Sequence, residues 1–214
     1  TIVTQNIGYS TAKLMELQVG DEIMDVIGPL GQPTHIEKHD GIVLCVGGGV
    51  GIAPLHPIAQ AHHNNGNRVI SILGARDKSL IIMEDMMKKI SEETLICTDN
   101  GSYGEKGLVT DMIKRVYDKG EKISEVIAIG PAIMMKFVAK LTKEYNLPTT
   151  VSLNPIMIDG TGMCGCCRVL VGTETKFACV EGPEFDGHLV DFDLLMKRQA
   201  MYKREEHECN LKLS

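Results

Sequence analysis

Tryptophan is absent from the 214 residues, and five tyrosines with four phenylalanines bring the aromatics to only 4%. Positive charge is also short: 22 Lys+Arg stand against 28 Asp+Glu, a net charge of −6, so no basic field gathers phosphate backbones. Nucleic acid is not an expected partner. Long apolar runs are missing, and stretches such as residues 42–46 and 80–83 fall far short of the roughly 20 residues that cross a bilayer. Neither a membrane span nor a signal peptide is expected. The seven cysteines are an odd number, four of them between Cys164 and Cys179, which does not suit the paired framework of a small secreted domain. A reducing cytoplasm is the expected compartment. What remains is ordinary globular composition, 43% hydrophobic and 23% charged, long enough for one large or two small domains.

The first pattern in the chain is an alternating segment at residues 22–27, closed by Gly28-Pro29-Leu30-Gly31, and it predicts a strand. From residue 41 apolar runs alternate with amphipathic stretches. Strands are expected at 42–46, 68–73, 94–97 and 126–129, with helices near 52–65, 79–91, 107–118 and 131–145. Repeated β–α units imply a parallel sheet with right-handed crossovers. A short strand at 150–153, two more near 168–172 and 175–178, and a final charged helix over about 191–204 complete the expectation. Cys45 and Cys97 fall inside apolar runs and read as small buried hydrophobes. His62 and His63 read as a solvated helix face, and Cys209 as a tail thiol.

Between the first strand and first helix of this repeat lies Gly47-Gly48-Gly49-Val50-Gly51-Ile52-Ala53-Pro54. Bare amides at a helix N-terminus attract a phosphate, so Gly47, Gly48, Gly49, Gly51 and Pro54 form a candidate pyrophosphate cradle. The usual dinucleotide spacing fails here, because its third glycine position falls on Ile52 or Pro54. A tight strand-to-helix turn is the plainer alternative. After the second strand, Arg76 and Asp77 stand where an arginine would meet a 2′-phosphate or an acid a ribose 2′-hydroxyl, leaving NAD and NADP both open. Asp99 and Asn100 follow the third strand and Gly130 and Pro131 the fourth, at strand ends where ligands sit in open α/β sheets.

The second motif is Asp159-Gly160-Thr161-Gly162-Met163-Cys164-Gly165-Cys166-Cys167, followed after eleven residues by Cys179. Asp159, Cys164, Cys167 and Cys179 match the plant-type iron–sulfur spacing with aspartate in the first place, and the glycines let amides face inorganic sulfur. Tetrahedral zinc is the alternative, since thiolates two residues apart also suit it. Asp159-Gly160 is equally a common turn pair, and Cys166 reads as a bystander that the spacing does not forbid as a ligand.

A nucleotide-binding sheet followed by a plant-type cluster loop resembles the ferredoxin reductase-like electron-transfer subunits. The carriers are the Pro54 glycine loop, the Gly28-Pro29-Leu30-Gly31 barrel end, the Gly130-Pro131 turn and the cysteine loop. Within that family the run 152–193 looks like the small subunit of NADH-dependent reduced ferredoxin:NADP oxidoreductases, a relative of the class B dihydroorotate dehydrogenase subunit, with its aspartate ligand on Asp159.

The resemblance implies an α/β fold: a parallel nucleotide-binding sheet, preceded by the remnant of an antiparallel flavin barrel and followed by a small [2Fe–2S] domain. The expected boundaries are 1–36 for the last part of the FAD-binding barrel, 37–150 for the NAD(P)-binding domain, and 151–214 for the cluster loop and C-terminal helix. Gly8, Ser10 and Thr11 resemble the family's second flavin contact, leading into a helix at 12–17. The barrel's Arg-x-Tyr-Ser/Thr motif does not occur in the sequence, so an N-terminally truncated chain is expected. Implied cofactors are a [2Fe–2S] cluster, FAD and NAD(P). The implied partner is a larger flavin/iron–sulfur catalytic subunit, through which ferredoxin is reached, or a dihydroorotate, hydrogenase or sulfide dehydrogenase counterpart. In such proteins NADH gives a hydride to FAD, electrons leave singly through the cluster, and no side-chain acid or base is needed. A zinc-stabilised nucleotide-binding module without redox role is the expectation from a different class.

Overall fold

The computed structural model describes residues 1–211. Its first element is a short helix, α1 (Tyr9–Met15), and no residue of that helix is buried. Residues 22–27 do not form the expected strand. A strand is stable only when another pairs with it, and none of the described residues pairs here. Ile23, Met24, Val26 and Ile27 accordingly remain exposed.

From residue 42 the alternation is as expected. β1 (Ile42–Gly48) leads through a 3₁₀ turn at Gly49–Gly51 into α2 (Ile52–Asn64), and β2 (Arg68–Ala75) leads through a turn at Lys78–Leu80 to α3 (Glu84–Ile90). β3 (Glu93–Thr98), the two-residue β4 (Glu105–Lys106), α4 (Val109–Asp118), β5 (Ile123–Ile129), α5 (Ala132–Glu144) and β6 (Thr149–Ser152) follow. After the cysteine loop come the hairpin β7 (Arg168–Val171) and β8 (Glu174–Phe177), α6 (Ala178–Glu181) and β9 (Glu184–Asp186). The expected single tail helix is broken into α7 (Phe192–Gln199) and α8 (Lys203–Asn210).

The main sheet runs β4-β3-β2-β1-β5-β6-β9, with only β9 antiparallel to its neighbour. All seven β1 residues are buried, as the core strand of a sheet covered on both faces must be. Val43, Cys45, Leu73 and Ile127 face one layer with Leu55 and Met87 of α2 and α3. Leu44, Val46, Ile72 and Ala128 face the other, with Ile113, Met135 and Leu195 of α4, α5 and α7. Cys45 and Cys97 are core residues, and burial pushes the Cys97 thiol up to about 12. The chain reverses direction across the sheet between β1 and β5, so the topological switch point lies at their carboxyl ends.

His62 corrects the solvated-face reading, because it is fully buried while His63 is exposed. Asn67 explains why: its Oδ1 accepts from the His39 amide (2.8 Å), and its Nδ2 donates to the Glu37 carbonyl (2.7 Å) and lies 3.1 Å from His62 Nδ1. The buried polar edge of the ring thus has an amide to meet. Among the described residues, only His39, His62 and Glu125 bring three metal-capable donor atoms within 4.8 Å of one another. With Asn67 fixed by two main-chain groups, its free N–H faces Nδ1 and the imidazole proton sits on Nε2. In that tautomer the Nε2 proton is buried without an acceptor among the described residues, and burial lowers the ring's pKa, favouring the neutral form.

Candidate metal centre and nucleotide cleft

The cysteine loop leaves β6 and is tied back by glycines in left-handed backbone, Gly160, Gly162 and Gly165, at φ +74°, +87° and +64°. Asp159 begins it, its Oδ1 accepting from the Thr161 amide and its Oδ2 from the Cys164 amide, each at 2.7 Å. Those amides, Thr161 first, hold its carboxyl below the usual carboxylate range. Each oxygen keeps a second lone pair for a metal. At the other end Cys167 and Cys179 are buried with their sulfurs 3.2 Å apart, and burial pushes the Cys179 thiol up.

Among the described residues, the Cys167 and Cys179 sulfurs lie together, the Asp159 carboxylate holds the Cys164 main chain, and no three of the four expected ligands bring their donor atoms within 4.8 Å of one another. A binuclear centre takes two donors on each iron, whereas mononuclear zinc needs all four to converge. Amides also face the sulfurs: Cys166 N–H lies 3.5 Å from Cys164 Sγ, Cys179 N–H lies 3.5 Å from Cys167 Sγ, and the Gly162 amide lowers the Cys179 thiol. The residues present fit a [2Fe–2S] group in number and chemistry, with amides facing the sulfurs.

The glycine loop lies at the switch point. A Cβ on Gly51 would stand 2.5 Å from the Ile129 carbonyl oxygen and 2.8 Å from Gly130 Cα, and one on Gly130 would stand 3.1 Å from Gly48 Cα. The Pro131 ring and Met134 lie against Gly48, so the ends of β1 and β5 close on each other through glycine. Pro131 caps α5, and Pro54 sits within the first turn of α2, where a missing N–H costs no helical bond. The next strand ends hold Arg76, exposed, and Asp77, whose Oδ1 accepts from the Ser79 amide (2.9 Å) and hydroxyl (2.5 Å). Ser79 keeps that carboxyl anionic by lowering its pKa. The Asp99 and Asn100 amides donate to the carbonyls of Ala75 and Arg76, and the Asn100 side chain caps the Ser102 amide at 2.9 Å. Asn100 is thus occupied within its own turn.

Gly8, Ser10 and Thr11 lie at the start of α1, which begins three residues before the expected helix and meets Asn210 of α8 through the Ile7 carbonyl. The Thr11 hydroxyl accepts from the amides of Ile7 and Gly8 and donates to the Gly8 carbonyl, so it closes that turn.

Residues 154–191 match the iron–sulfur cluster binding domain of dihydroorotate dehydrogenase B, and residues 45–140 match the oxidoreductase NAD-binding domain. A dihydroorotate dehydrogenase B (NAD(+)) electron transfer subunit homolog from Thermotoga maritima is 51% identical over 205 residues, covering 96% of this chain and 72% of the relative. The chain belongs to the dihydroorotate dehydrogenase B electron-transfer subunit family. A probable subunit of that kind from Methanocaldococcus jannaschii is 40% identical, over 93% of this chain and 74% of its own length. A structure solved for flavin-based electron bifurcation by an NADH-dependent reduced ferredoxin-NADP oxidoreductase superposes with a TM-score of 0.90 at 48% identity. It covers 98% of this chain, which spans 75% of that one. The chain is thus an electron-transfer protein of ferredoxin reductase-like fold, with an NAD-binding and an iron–sulfur module, and the zinc-module expectation is set aside. Among the described residues no helix is long and apolar enough to cross a membrane.

Proposed function

We propose that this chain passes electrons between NAD(H) and a larger flavin/iron–sulfur subunit, in the manner of an NADH-dependent reduced ferredoxin:NADP oxidoreductase. The observation that carries the reading is a loop in which Asp159 holds the Cys164 main chain and the Cys167 and Cys179 sulfurs meet at 3.2 Å, in one chain with a glycine-lined switch point. When bound, FAD supplies the exchange between a hydride and single electrons, and a [2Fe–2S] cluster supplies one-electron transfer. The chain's own residues position these groups. Gly47, Gly48, Gly49 and Gly51 offer bare backbone to a pyrophosphate at the α2 N-terminus, with Pro54 in the first turn. Gly130 and Pro131 bound the cleft, Asp99 and Asn100 flank it, and Gly8, Ser10 and Thr11 are the flavin contact retained in residues 1–36. Residues 37–150 form the nucleotide domain and 151–214 the cluster domain, although β6 and β9 join both to one sheet. Activity then requires a complete flavin barrel and the partner subunit, with ferredoxin reached through that partner. Free cysteines throughout the described chain suit a reducing cytoplasm.

The test is electron paramagnetic resonance of anaerobically purified protein before and after dithionite, with iron, sulfide and zinc assayed on the same sample. A rhombic spin-half signal with about two irons and two sulfides per chain is expected. An iron-free protein holding stoichiometric zinc would sink the redox reading.

At the nucleotide, the anionic Asp77 favours a ribose 2′-hydroxyl over a 2′-phosphate. NADH is expected to bind roughly tenfold more tightly than NADPH, and Asp77→Ala to narrow that gap. Equal affinities in a fluorescence titration of the unmodified chain would remove Asp77 from recognition, and absence of binding would remove the cradle itself.

A further inference from the structure

Arg198 is 31 residues beyond Cys167 in sequence, yet it lies at the cluster loop. It sits in the last turn of α7, whose mounting is rigid: Phe192 and Leu195 are buried, Asp191 caps the first turn at the Leu194 amide (2.9 Å), and Lys136 of α5 pairs with Asp193 at 2.6 Å. From that mount two neighbouring side chains reach the loop segment. Gln199 Nε2 donates to the Asn154 carbonyl at 2.8 Å, and Arg198 Nη2 donates to the Cys166 carbonyl at 3.1 Å. The Arg198 Nε–H is buried without a partner among the described residues, beside a cavity of about 180 Å³ that Cys164 and Cys166 also line. A buried guanidinium N–H left unpaired is costly, so this arginine is held for more than its hydrogen bond to Cys166.

Charge supplies the reason. An iron–sulfur centre with four anionic donors gains a further negative charge when reduced, and a fixed cation nearby favours the reduced form. Arg198 and Arg168 both line the cavity beside Cys164 and Cys166, but Arg198 is partly buried and holds the Cys166 carbonyl, whereas Arg168 is exposed. Solvent screens Arg168 more than the partly buried Arg198.

We propose that Arg198 is a positioning residue for the iron–sulfur centre: it anchors the loop through the Cys166 carbonyl and raises the reduction potential by its fixed charge. The inference rests on reading the loop as a [2Fe–2S] site.

The experiment is an EPR-monitored redox titration of the cluster-loaded full chain and of Arg198→Gln, Arg198→Lys and Arg168→Gln. Arg198→Gln is expected to lower the reduced-to-oxidised ratio at fixed potential about tenfold, which is about 59 mV for one electron. Arg198→Lys should keep the potential close to the unmodified value, and Arg168→Gln should shift it less. An unchanged potential in fully loaded Arg198→Gln overturns the proposal, as does an equal shift from Arg168→Gln. If Arg198→Gln loses the cluster while Arg198→Lys keeps it, charge at this position decides retention and the proposal stands. If both lose it, only the arginine fork matters and the electrostatic role falls. Absence of a rhombic signal in the unmodified chain would be a failure of the cluster reading and not of Arg198.

Discussion

Cys179→Ser is expected to abolish the reduced spin-half signal and to strip iron and sulfide from the chain, and Cys167→Ser to do the same. The two sulfurs are the buried half of the donor set, 3.2 Å apart, and no described third thiol lies close enough to both to replace either. A serine hydroxyl stays protonated at neutral pH, whereas a thiol becomes the thiolate that iron requires. Cys179 is also buried in the same core layer as Ala178 and Leu195, so a serine there buries a hydroxyl at a cost of about 1–3 kcal/mol unless it finds a partner. The thermal midpoint of the metal-free protein should therefore fall by a few degrees, far less than the loss of the cluster implies for the loaded one. Asp159→Cys is the contrasting case. It keeps four donors, so the iron content should be retained while the softer thiolate shifts the potential, and an unshifted titration would remove any tuning role for Asp159. Cys166→Ser should leave the iron content intact; iron lost from Cys166→Ser but kept in Asp159→Ala would reverse the assignment of the fourth ligand.

What the residues announce on their own differs between the two sites and the frame that holds them. β1, most of β2 and the second half of β5 are legible because they are apolar runs, broken in β2 only by Ser71 after Arg68, and a strand covered on both faces has that pattern whatever its neighbours do. The ligand spacing of Asp159, Cys164, Cys167 and Cys179 is legible because four donors and four glycines within 21 residues serve few other purposes. β4 is two charged residues and β9 only the three residues Glu184–Asp186, and each exists because an edge of the sheet offers pairing, which no local period reports. The alternating segment at 22–27 shows the converse, a good local pattern with nothing to pair against. His62 reads as polar and solvated until the Asn67 amide is placed beside it, three residues beyond the helix end. Arg198 carries no signal at all in the sequence, since its relation to the loop is made by α7 packing on α5.

Gly51→Val is expected to lower stability by about 1–3 kcal/mol and to weaken nucleotide binding at least about tenfold. Gly51 has φ −62° and ψ −14°, which any residue can adopt, so its requirement is space and not conformation. The obstructing atoms, the Ile129 carbonyl and Gly130 Cα, are main chain at the end of β5 and cannot rotate aside as a side chain would. Relief requires the ends of β1 and β5 to separate, which strains the pairing of Gly47 with Ile129 and tilts the α2 N-terminus at the proposed phosphate seat. Gly49 offers the matching control. Its φ is +54° and nothing stands within 4 Å of its missing Cβ, so Gly49→Ala costs about 1–2 kcal/mol of left-handed backbone without moving either strand. If the cleft at the switch point holds the nucleotide, thermal melts should show both variants destabilised to a similar degree while NADH titration separates them, Gly51→Val losing affinity and Gly49→Ala keeping most of it. Equal retention by both would move the nucleotide away from the β1 and β5 ends; equal loss would mean that the loop's backbone conformation, and not the closeness of the strands, governs binding.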